Sequence, residues 1–237
     1  MTRLKWLLIG LLIALPVAGG SAAAFSWGSG RIVAEKRSVP AFQGIDLMGS
    51  ATVYLKQGPK QTLEVRTDDN LMRLLETSVI NDTLRIGFRQ SVARYSKCEI
   101  RITAPQIKYI NVSGSGVIQG QNKLHAPAVS INISGSGALV LDLEARQVSI
   151  RIAGSGNGEI AGKAAELTAQ ISGSGGLSAF AFPVPRADVA ISGSGTGKIN
   201  VTEILTARIS GSGTVEYRGN PLVNAFTSGS GRIAAAD

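Results

Sequence analysis

The tripeptide Gly-Ser-Gly occurs seven times between residues 114 and 231 of this chain of 237 residues. Its first glycines are separated by 21, 19, 19, 20, 18 and 18 residues. A near-constant interval of this length is typical of a solenoid, in which each repeat is one small unit stacked on its neighbour. The glycines of the seven copies are Gly114, Gly116, Gly135, Gly137, Gly154, Gly156, Gly173, Gly175, Gly193, Gly195, Gly211, Gly213, Gly229 and Gly231.

The residues before each tripeptide alternate in character, which predicts strands. The residues two positions before the first glycine are Val112, Ile133, Ile152, Ile171, Ile191, Ile209 and Thr227. The residues three positions before it are Asn111, Asn132, Arg151, Gln170, Ala190, Arg208 and Phe226. Alternation with a period of two is typical of a strand that buries one face. Because equivalent strands recur at a near-constant interval, we expect them to stack in parallel and in register.

The interval also predicts the shape of each coil. About three short strands and three corners fit into 18 to 21 residues at ~3.3 Å per residue. We therefore predict an all-β fold, a single-stranded parallel β-helix (β-solenoid) with about 18–21 residues per coil. Each Gly-Ser-Gly is predicted to form a corner, because glycine tolerates positive φ and small residues let corners stack closely. A third, weaker inward face is predicted at Val129, Val148, Leu167, Ile204 and Val223.

Residues 31–110 lack the tripeptide but keep short alternating runs such as GIDLMGSATVYLKQG and EIRITAP. We interpret them as irregular early coils of the same solenoid, followed by the repeat coils of residues 111–233. These early coils would also cover the N-terminal end of the core. A separate small β domain is the alternative.

Residues 1–24 have the pattern of a secretory signal peptide. Arg3 and Lys5 precede an apolar run over residues 6–18, and the small residues of 21–24 offer a cleavage site after Ala24. An uncleaved membrane anchor is the alternative, but the run is shorter than the roughly 20 residues that span a bilayer. We therefore expect an exported domain of residues 25–237, periplasmic or at the cell surface, without a stable transmembrane segment.

Three sequence blocks, in order, connect the chain to a known family. They are FQGIDLMGSATVYLKQG, DDNLMRLLETSVINDTLRI and IRITAPQIKYINVSGSG, and the last leads into the repeats. With these blocks the chain resembles the bacterial "putative auto-transporter adhesin, head GIN domain" family over roughly residues 31–233. The resemblance implies a right-handed parallel β-helix on an exported bacterial protein. It supplies no catalytic residues.

The sequence offers no evident catalytic, cofactor-binding or metal-binding residues. Glu159 and Glu216 share one repeat position, but three coils, about 14 Å at ~4.8 Å per coil, separate them. His125 is the only histidine, so a multi-histidine metal site is excluded, and we expect it in an exposed loop. Residues 192–199, SGSGTGKI, lack the first glycine and the final Ser/Thr of a P-loop. Cys98 is the only cysteine, so no intramolecular disulfide forms.

Charge and composition limit the partners. The net charge is +8, and removing Arg3 and Lys5 with the signal peptide leaves +6. This excess favours an anionic envelope polysaccharide as partner, with another envelope protein as a further option. Export and only 5% aromatic residues argue against nucleic acid.

The function that follows is an exported, non-enzymatic, adhesin-like module for binding or scaffolding at the cell envelope. A polysaccharide-active lyase or hydrolase is the alternative, because such chemistry would use carboxylates from neighbouring coils. A third option is end-to-end self-assembly, which depends on whether the terminal coils are capped. The oligomeric state is left open.

Overall fold

The computed structural model describes residues 26–236, so the predicted signal peptide and its cleavage site lie outside the described residues. Within this part of the chain there are nineteen strands and no helix. The first nine strands are β1 (Ser26–Trp27), β2 (Ile32–Arg37), β3 (Gly44–Gly49), β4 (Thr52–Gln57), β5 (Thr62–Asp68), β6 (Leu75–Ile80), β7 (Thr83–Phe88), β8 (Val92–Arg94) and β9 (Cys98–Ala104). The others are β10 (Tyr109–Gly114), β11 (Val117–Gly120), β12 (Leu124–Gly135), β13 (Ala138–Gly154), β14 (Asn157–Gly173), β15 (Gly176–Gly193), β16 (Thr196–Gly211), β17 (Thr214–Arg218), β18 (Leu222–Ser228) and β19 (Arg232–Ala235).

The repeat strands stack in parallel and in register, as the sequence predicts. β13 pairs with β14 from Ala138 opposite Asn157 to Gly154 opposite Gly173. β14 in turn pairs with β15, and β15 with β16, so that each first corner glycine lies opposite the next. The all-β solenoid of about seven turns is therefore confirmed.

The core follows the period-two alternation. In β13 the side chains of Leu139, Leu141 and Leu143 are buried, and those of Ile150 and Ile152 are buried further along the same strand. Stacking places equivalent aliphatic side chains on top of one another, so the coils share one continuous apolar interior. Burial of each such side chain contributes about 1.5–3 kcal/mol relative to exposure.

One inward position was predicted incorrectly. Ile204 lies opposite Arg186 and Leu222, in an outward row, whereas Leu205 lies opposite Ala187 in the inward row. The inward residue is the sixth before the first corner glycine, a spacing that Leu205 satisfies and Ile204 does not. Period-two alternation places adjacent residues on opposite faces, which explains why a shift by one residue reverses the assignment.

The stack has an eighth corner outside the seven Gly-Ser-Gly repeats. Gly49 has a φ of +96° and lies opposite Gly114 in the pairing of β3 with β10. The position of the second corner glycine is here occupied by Ala51. A Cβ at Gly116 would lie 3.1 Å from the Ala51 carbonyl oxygen of the preceding corner. Within the described residues no corner precedes that of Gly49, so the Cβ of Ala51 meets no carbonyl oxygen of an earlier corner. Alanine is therefore tolerated at this position.

The segment between β4 and β10 does not continue the stack in chain order. β7 pairs in parallel with β3, and β9 pairs in parallel with β4. Along their other edges, β3 pairs with β10 and β4 pairs with β11. β5 is antiparallel to both β9 and β2, and β6 is antiparallel to β7. The expectation of irregular coils for residues 31–110 therefore needs correction. β3 and β4 form a coil, but residues 62–104 fold back over the free edge of that coil. Their strands supply hydrogen-bond partners to the backbone groups of that edge, which would otherwise be unpaired.

This folded-back segment covers the N-terminal end of the core. The turn after β5 buries Leu71 and Met72, which are 0% and 7% exposed. Arg37 in β2 fixes the turn, since its Nη1 donates to the Leu75 carbonyl oxygen at 2.6 Å and its Nη2 to that of Met72 at 2.8 Å. We call this end of the solenoid the capped end.

The C-terminal end is built differently. In β18, Ala225 and Thr227 lie opposite Ala207 and Ile209 of β16, which are 0% and 3% exposed. Ala225 and Thr227 occupy the same inward positions but are themselves exposed. No further coil covers them in the described part of the chain, so we call this end the open end.

Candidate binding groove

The structure places the fourteen repeat glycines at stacked corners, where the two glycines of each copy meet different requirements. The first glycines all have φ between +109° and +119°, a region that other residues rarely adopt. Gly156, a second glycine, has no positive φ, but a Cβ there would lie 2.5 Å from Ile133 Cγ2 and 2.8 Å from the Gly137 carbonyl oxygen. The first glycine makes the turn and the second allows close approach of the next coil.

Beside these corners, on the outward side of the sheet, lies a groove of about 510 Å³. Two rows of side chains line it, and the residues of each row lie opposite one another in successive coils. The row next to the corners is Ala153, Ser172, Ser192, Ser210 and Ser228. The second row is Arg151, Gln170, Ala190, Arg208 and Phe226. We call this site the serine groove.

The shape of the serine groove follows from side-chain size. Its corner row contains only alanine and serine, whose side chains rise little above the backbone. In the second row, Ala190 interrupts a series of longer side chains between Gln170 and Arg208. The alternation in the sequence places all these residues at outward positions. The groove that results from their different sizes becomes visible only when the rows are stacked.

The two arginines of the groove differ in their electrostatic state. Arg208 Nη1 lies 3.0 Å from both carboxylate oxygens of Asp188, so its charge is largely balanced. Arg151 instead donates from Nε and Nη2 to the amide oxygen of Gln170, at 3.1 and 3.0 Å. Within residues 26–236 Arg151 forms no ion pair, so its charge is available to an anionic ligand.

An exposed aromatic ring marks the open-end side of the groove. Phe226 is 59% exposed, an unusual state for a large apolar side chain. The guanidinium carbon of Arg208 lies 5.8 Å from the centroid of its ring. The free face of such a ring is suited to stacking against the apolar face of a ligand.

The carboxylates considered for catalysis do not converge. Glu159 and Glu216 lie in one outward row beyond the corner, but Ser178 and Lys198 occupy the two coils between them. Lys198 Nζ lies 3.8 Å from a carboxylate oxygen of Glu216. At one end of this row Glu216 is paired with Lys198, and Glu159 lies at the other end. The two carboxylates are therefore not placed to act together.

His125 lies in β12, which corrects the expectation of a loop, although its side chain is exposed as expected. Its Nδ1 is 3.8 Å from Glu144 Oε2. A hydrogen bond from Lys163 lowers the pKa of the Glu144 carboxyl, and the charges of Lys163, His125 and Lys123 act in the same direction. No group of three potential metal ligands occurs among the described residues.

Cys98 is buried in β9 with 4% exposure, deeper than the half-buried position that its sequence context predicts. Burial raises the pKa of its thiol to about 12, although a hydrogen bond with Thr67 acts in the opposite direction. The thiolate, which is the reactive form, is therefore strongly disfavoured in the folded protein.

A buried carboxylate near the capped end has no signal in the sequence. Asp68 is 0% exposed and accepts hydrogen bonds from the Gly30 N–H at 2.7 Å and the Ser96 N–H at 2.8 Å. Burial raises the pKa of Asp68, but these backbone donors outweigh it and leave the pKa below its ordinary value. The carboxylate ties two loops to the end of β5.

Stacked coils, a shared aliphatic core and repeated corners define this protein as a parallel β-solenoid. Residues 41–221 match the family model described as "Putative auto-transporter adhesin, head GIN domain". The chain belongs to this family, as its sequence blocks indicate. No curated protein matches the chain.

Solved structures share the fold. A putative adhesin from Bacteroides fragilis NCTC 9343 is 24% identical, with a TM-score of 0.84 over 89% of this chain and 99% of that one. Two proteins from Parabacteroides distasonis ATCC 8503 each match 90% of this chain over 100% of their own length. One is described as a putative lipid binding protein (25% identity, TM-score 0.78) and the other as a putative adhesin (26%, 0.74).

Residues 26–236 contain no helix long and apolar enough to cross a bilayer.

Proposed function

We propose that this protein is an exported, non-enzymatic, adhesin-like module of the bacterial cell envelope that binds anionic polysaccharide in the serine groove. The observation that carries the proposal is the groove itself, where stacked hydroxyls, the unpaired charge of Arg151 and the exposed ring of Phe226 lie together. The adhesin description of the family supports a surface-binding role. The signal-peptide pattern of residues 1–24 supports export.

The chemistry of the groove suits a sugar polymer. Serine hydroxyls donate and accept hydrogen bonds, as sugar hydroxyls do. A guanidinium forms strong paired hydrogen bonds with a carboxylate or sulfate group. The groove crosses five coils from Arg151 to Phe226, a span of about 19 Å at ~4.8 Å per coil. A site of this length and openness fits an extended chain better than a compact small molecule.

The carboxylate geometry supports binding without cleavage. Glycoside hydrolases place two carboxyl groups about 5 to 9.5 Å apart across the scissile bond. Glu159 and Glu216 are about 14 Å apart at ~4.8 Å per coil, and Lys198 pairs with Glu216. Asp188, the carboxylate beside the serine groove, is bound to Arg208.

Calorimetry with a panel of anionic and neutral polysaccharides tests the proposal. We expect the protein to bind anionic chains, and Arg151→Gln to weaken binding about tenfold, the effect of losing one charge-assisted hydrogen bond. Arg146→Gln is the matched control, because it removes the same charge from an exposed position of the same strand outside the groove. Ala190→Trp should also block binding by filling the groove.

The same panel separates this proposal from its competitors. Equal weakening by Arg151→Gln and Arg146→Gln would show that net charge suffices and that the groove has no role. Shortened polysaccharide products, lost on substitution of Glu159 or Glu216, would establish the enzyme instead.

A further inference from the structure

Asp188 interrupts an outward row of hydroxyl side chains that runs beside the serine groove. The row lies five positions before the first corner glycine, and its members lie opposite one another in successive coils. From the capped end toward the open end they are Ser130, Ser149, Thr168, Asp188 and Thr206. Because threonines lie on both sides of Asp188, stacking of the coils does not require an acidic residue here. The carboxylate therefore has a local role.

The contact of Asp188 is with Arg208, which lies in the next coil and lines the groove. Arg208 Nη1 is 3.0 Å from both carboxylate oxygens. Toward the following coil, the guanidinium carbon is 5.8 Å from the ring centroid of Phe226. A guanidinium has five N–H donors, so Arg208 retains donors for the hydroxyl groups of a sugar. This half of the groove thus has hydrogen-bond donors without a net positive charge.

The other arginine of the groove, Arg151, has a serine where Arg208 has its aspartate. Ser130 lies in the hydroxyl row one coil before Arg151, as Asp188 does before Arg208. The neighbours of Arg151 within its own row are the neutral amides Asn132 and Gln170. The two arginines lie three coils apart, about 14 Å at ~4.8 Å per coil. Of these two, only Arg151 presents an unbalanced charge to a ligand in the part of the chain that the structure describes.

We propose that Asp188 determines which anionic polymer the serine groove selects, an inference that rests on the proposed function. With Asp188 in place, the groove accepts one acidic group at Arg151 and uncharged sugars over Ala190 and beside Arg208. A polymer with an acidic group on every sugar brings a carboxylate toward Asp188, and these like charges repel. The preferred ligand is therefore a polysaccharide in which neutral sugars separate the acidic ones.

Two tetrasaccharides test this selection. One has a single glucuronate and three neutral sugars, as in the repeating unit of deacylated gellan, and the other is tetragalacturonate. Short ligands exclude simultaneous attachment to several protein molecules. In NMR titrations at one ionic strength, the native protein should bind the singly charged tetrasaccharide about fivefold more tightly. This factor corresponds to about 1 kcal/mol, the repulsion of two unit charges about 4 Å apart in water.

Removing the carboxylate should abolish this preference. Asp188→Thr gives the position the same residue type as its neighbours Thr168 and Thr206, so the strand should fold normally. The substitution leaves the charge of Arg208 unbalanced and should raise the affinity for tetragalacturonate about fivefold. The affinity for the singly charged tetrasaccharide should change by less than about twofold, because Arg151 already binds its acidic group.

Two further variants separate the position of the charge from its amount. Glu203→Gln also removes one negative charge from an exposed arginine, since Glu203 Oε2 lies 4.0 Å from Arg186 Nε outside the groove. This control should leave the ratio of the two affinities unchanged. Ser130→Asp places a carboxylate beside Arg151 in the position that Asp188 has beside Arg208. It should weaken binding of the singly charged tetrasaccharide, as Arg151→Gln does.

The outcomes distinguish this inference from the proposed function. An equal ratio of affinities in the native protein and in Asp188→Thr would overturn the role of Asp188, as would an equal change of that ratio in Glu203→Gln. Binding that still depends on Arg151 would in either case leave the groove as the site. If neither tetrasaccharide binds in a way that depends on Arg151, both the groove and the selection by Asp188 are wrong. Circular dichroism should show all variants folded.

Discussion

The backbone N–H of Ser155 donates a hydrogen bond of 2.9 Å to the carbonyl oxygen of Gly135, one coil earlier. The same bond joins Ser136 to Gly114 and Ser174 to Gly154, each at 2.9 Å. The corner glycines thus accept a ladder of hydrogen bonds from the serine backbone, and the serine side chains at the corner tips point away from it into solvent. The corner therefore depends on the glycines and not on the serine hydroxyls.

Gly154→Val should destabilise the protein by about 1–3 kcal/mol or more. The substitution forces a β-branched residue to a φ of +111°, and its Cβ would lie 2.6 Å from the Gly135 carbonyl oxygen. Urea unfolding followed by circular dichroism measures the loss. Ser155→Ala, one residue along, should change stability by less than about 0.5 kcal/mol, because its side chain is exposed. Similar losses from both substitutions would argue against corner geometry as the cause.

Two phenylalanines in β15 test a break in the alternation of the coil, where the pairing of β15 with β16 is irregular between Ala179 and Pro183. Phe182 is fully buried, and Phe182→Ala should cost about 3–5 kcal/mol because it leaves a cavity in the shared core. Phe180, two residues earlier, is partly exposed and contacts Arg218, whose guanidinium carbon lies 4.3 Å from the ring centroid. Phe180→Ala should therefore cost clearly less in the same unfolding assay. Comparable costs would contradict the placement of Phe182 inside the core and of Phe180 at its edge.

Asp68 should make the capped end sensitive to acid. Its pKa is lowered in the folded protein, so its stabilising contribution is present above the ordinary aspartate pKa of about 3.9 and is lost as pH falls through the folded value. Asp68→Asn should lower the stability at neutral pH and flatten the decline below about pH 4. Glu203→Gln, at a residue whose side chain is 60% exposed, is the control and should change neither quantity. An unchanged acid profile in Asp68→Asn would contradict the role of this carboxylate.

Cys98 should react only when the protein unfolds. Burial raises the pKa of this thiol to about 12, so a thiol reagent at pH 8 should label the native protein far more slowly than the protein in urea. With no second cysteine in the chain, a reductant should leave the thermal midpoint unchanged. Rapid labelling of the native protein would show that β9 opens without global unfolding.

The repeat period allowed the fold of residues 111–233 to be predicted because each coil places similar side chains in identical environments. Stacked isoleucines before the corners meet other isoleucines, so a local pattern specifies a long-range contact. Residues 62–104 have no such repeat, and their alternating runs are compatible with several pairings. Their antiparallel arrangement over β3 and β4 could not be read from the runs alone. The repeat does not predict a corner at Gly49, because Ala51 replaces the second glycine.

The sequence by itself determined the strands of the repeat coils, their parallel register and the family, because period-two alternation and a near-constant interval are properties of the chain order. The tertiary structure alone decided where the surface is concave and that the N-terminal end is covered by a segment folded back in antiparallel strands. The groove arises because Ala190 lies between Gln170 and Arg208 across three coils, and the open end because no other strand of residues 26–236 stacks on Ala225 and Thr227. The repeat predicts which residues of the groove become neighbours, but the sizes of their side chains differ from coil to coil, so the concave surface appears only after coiling.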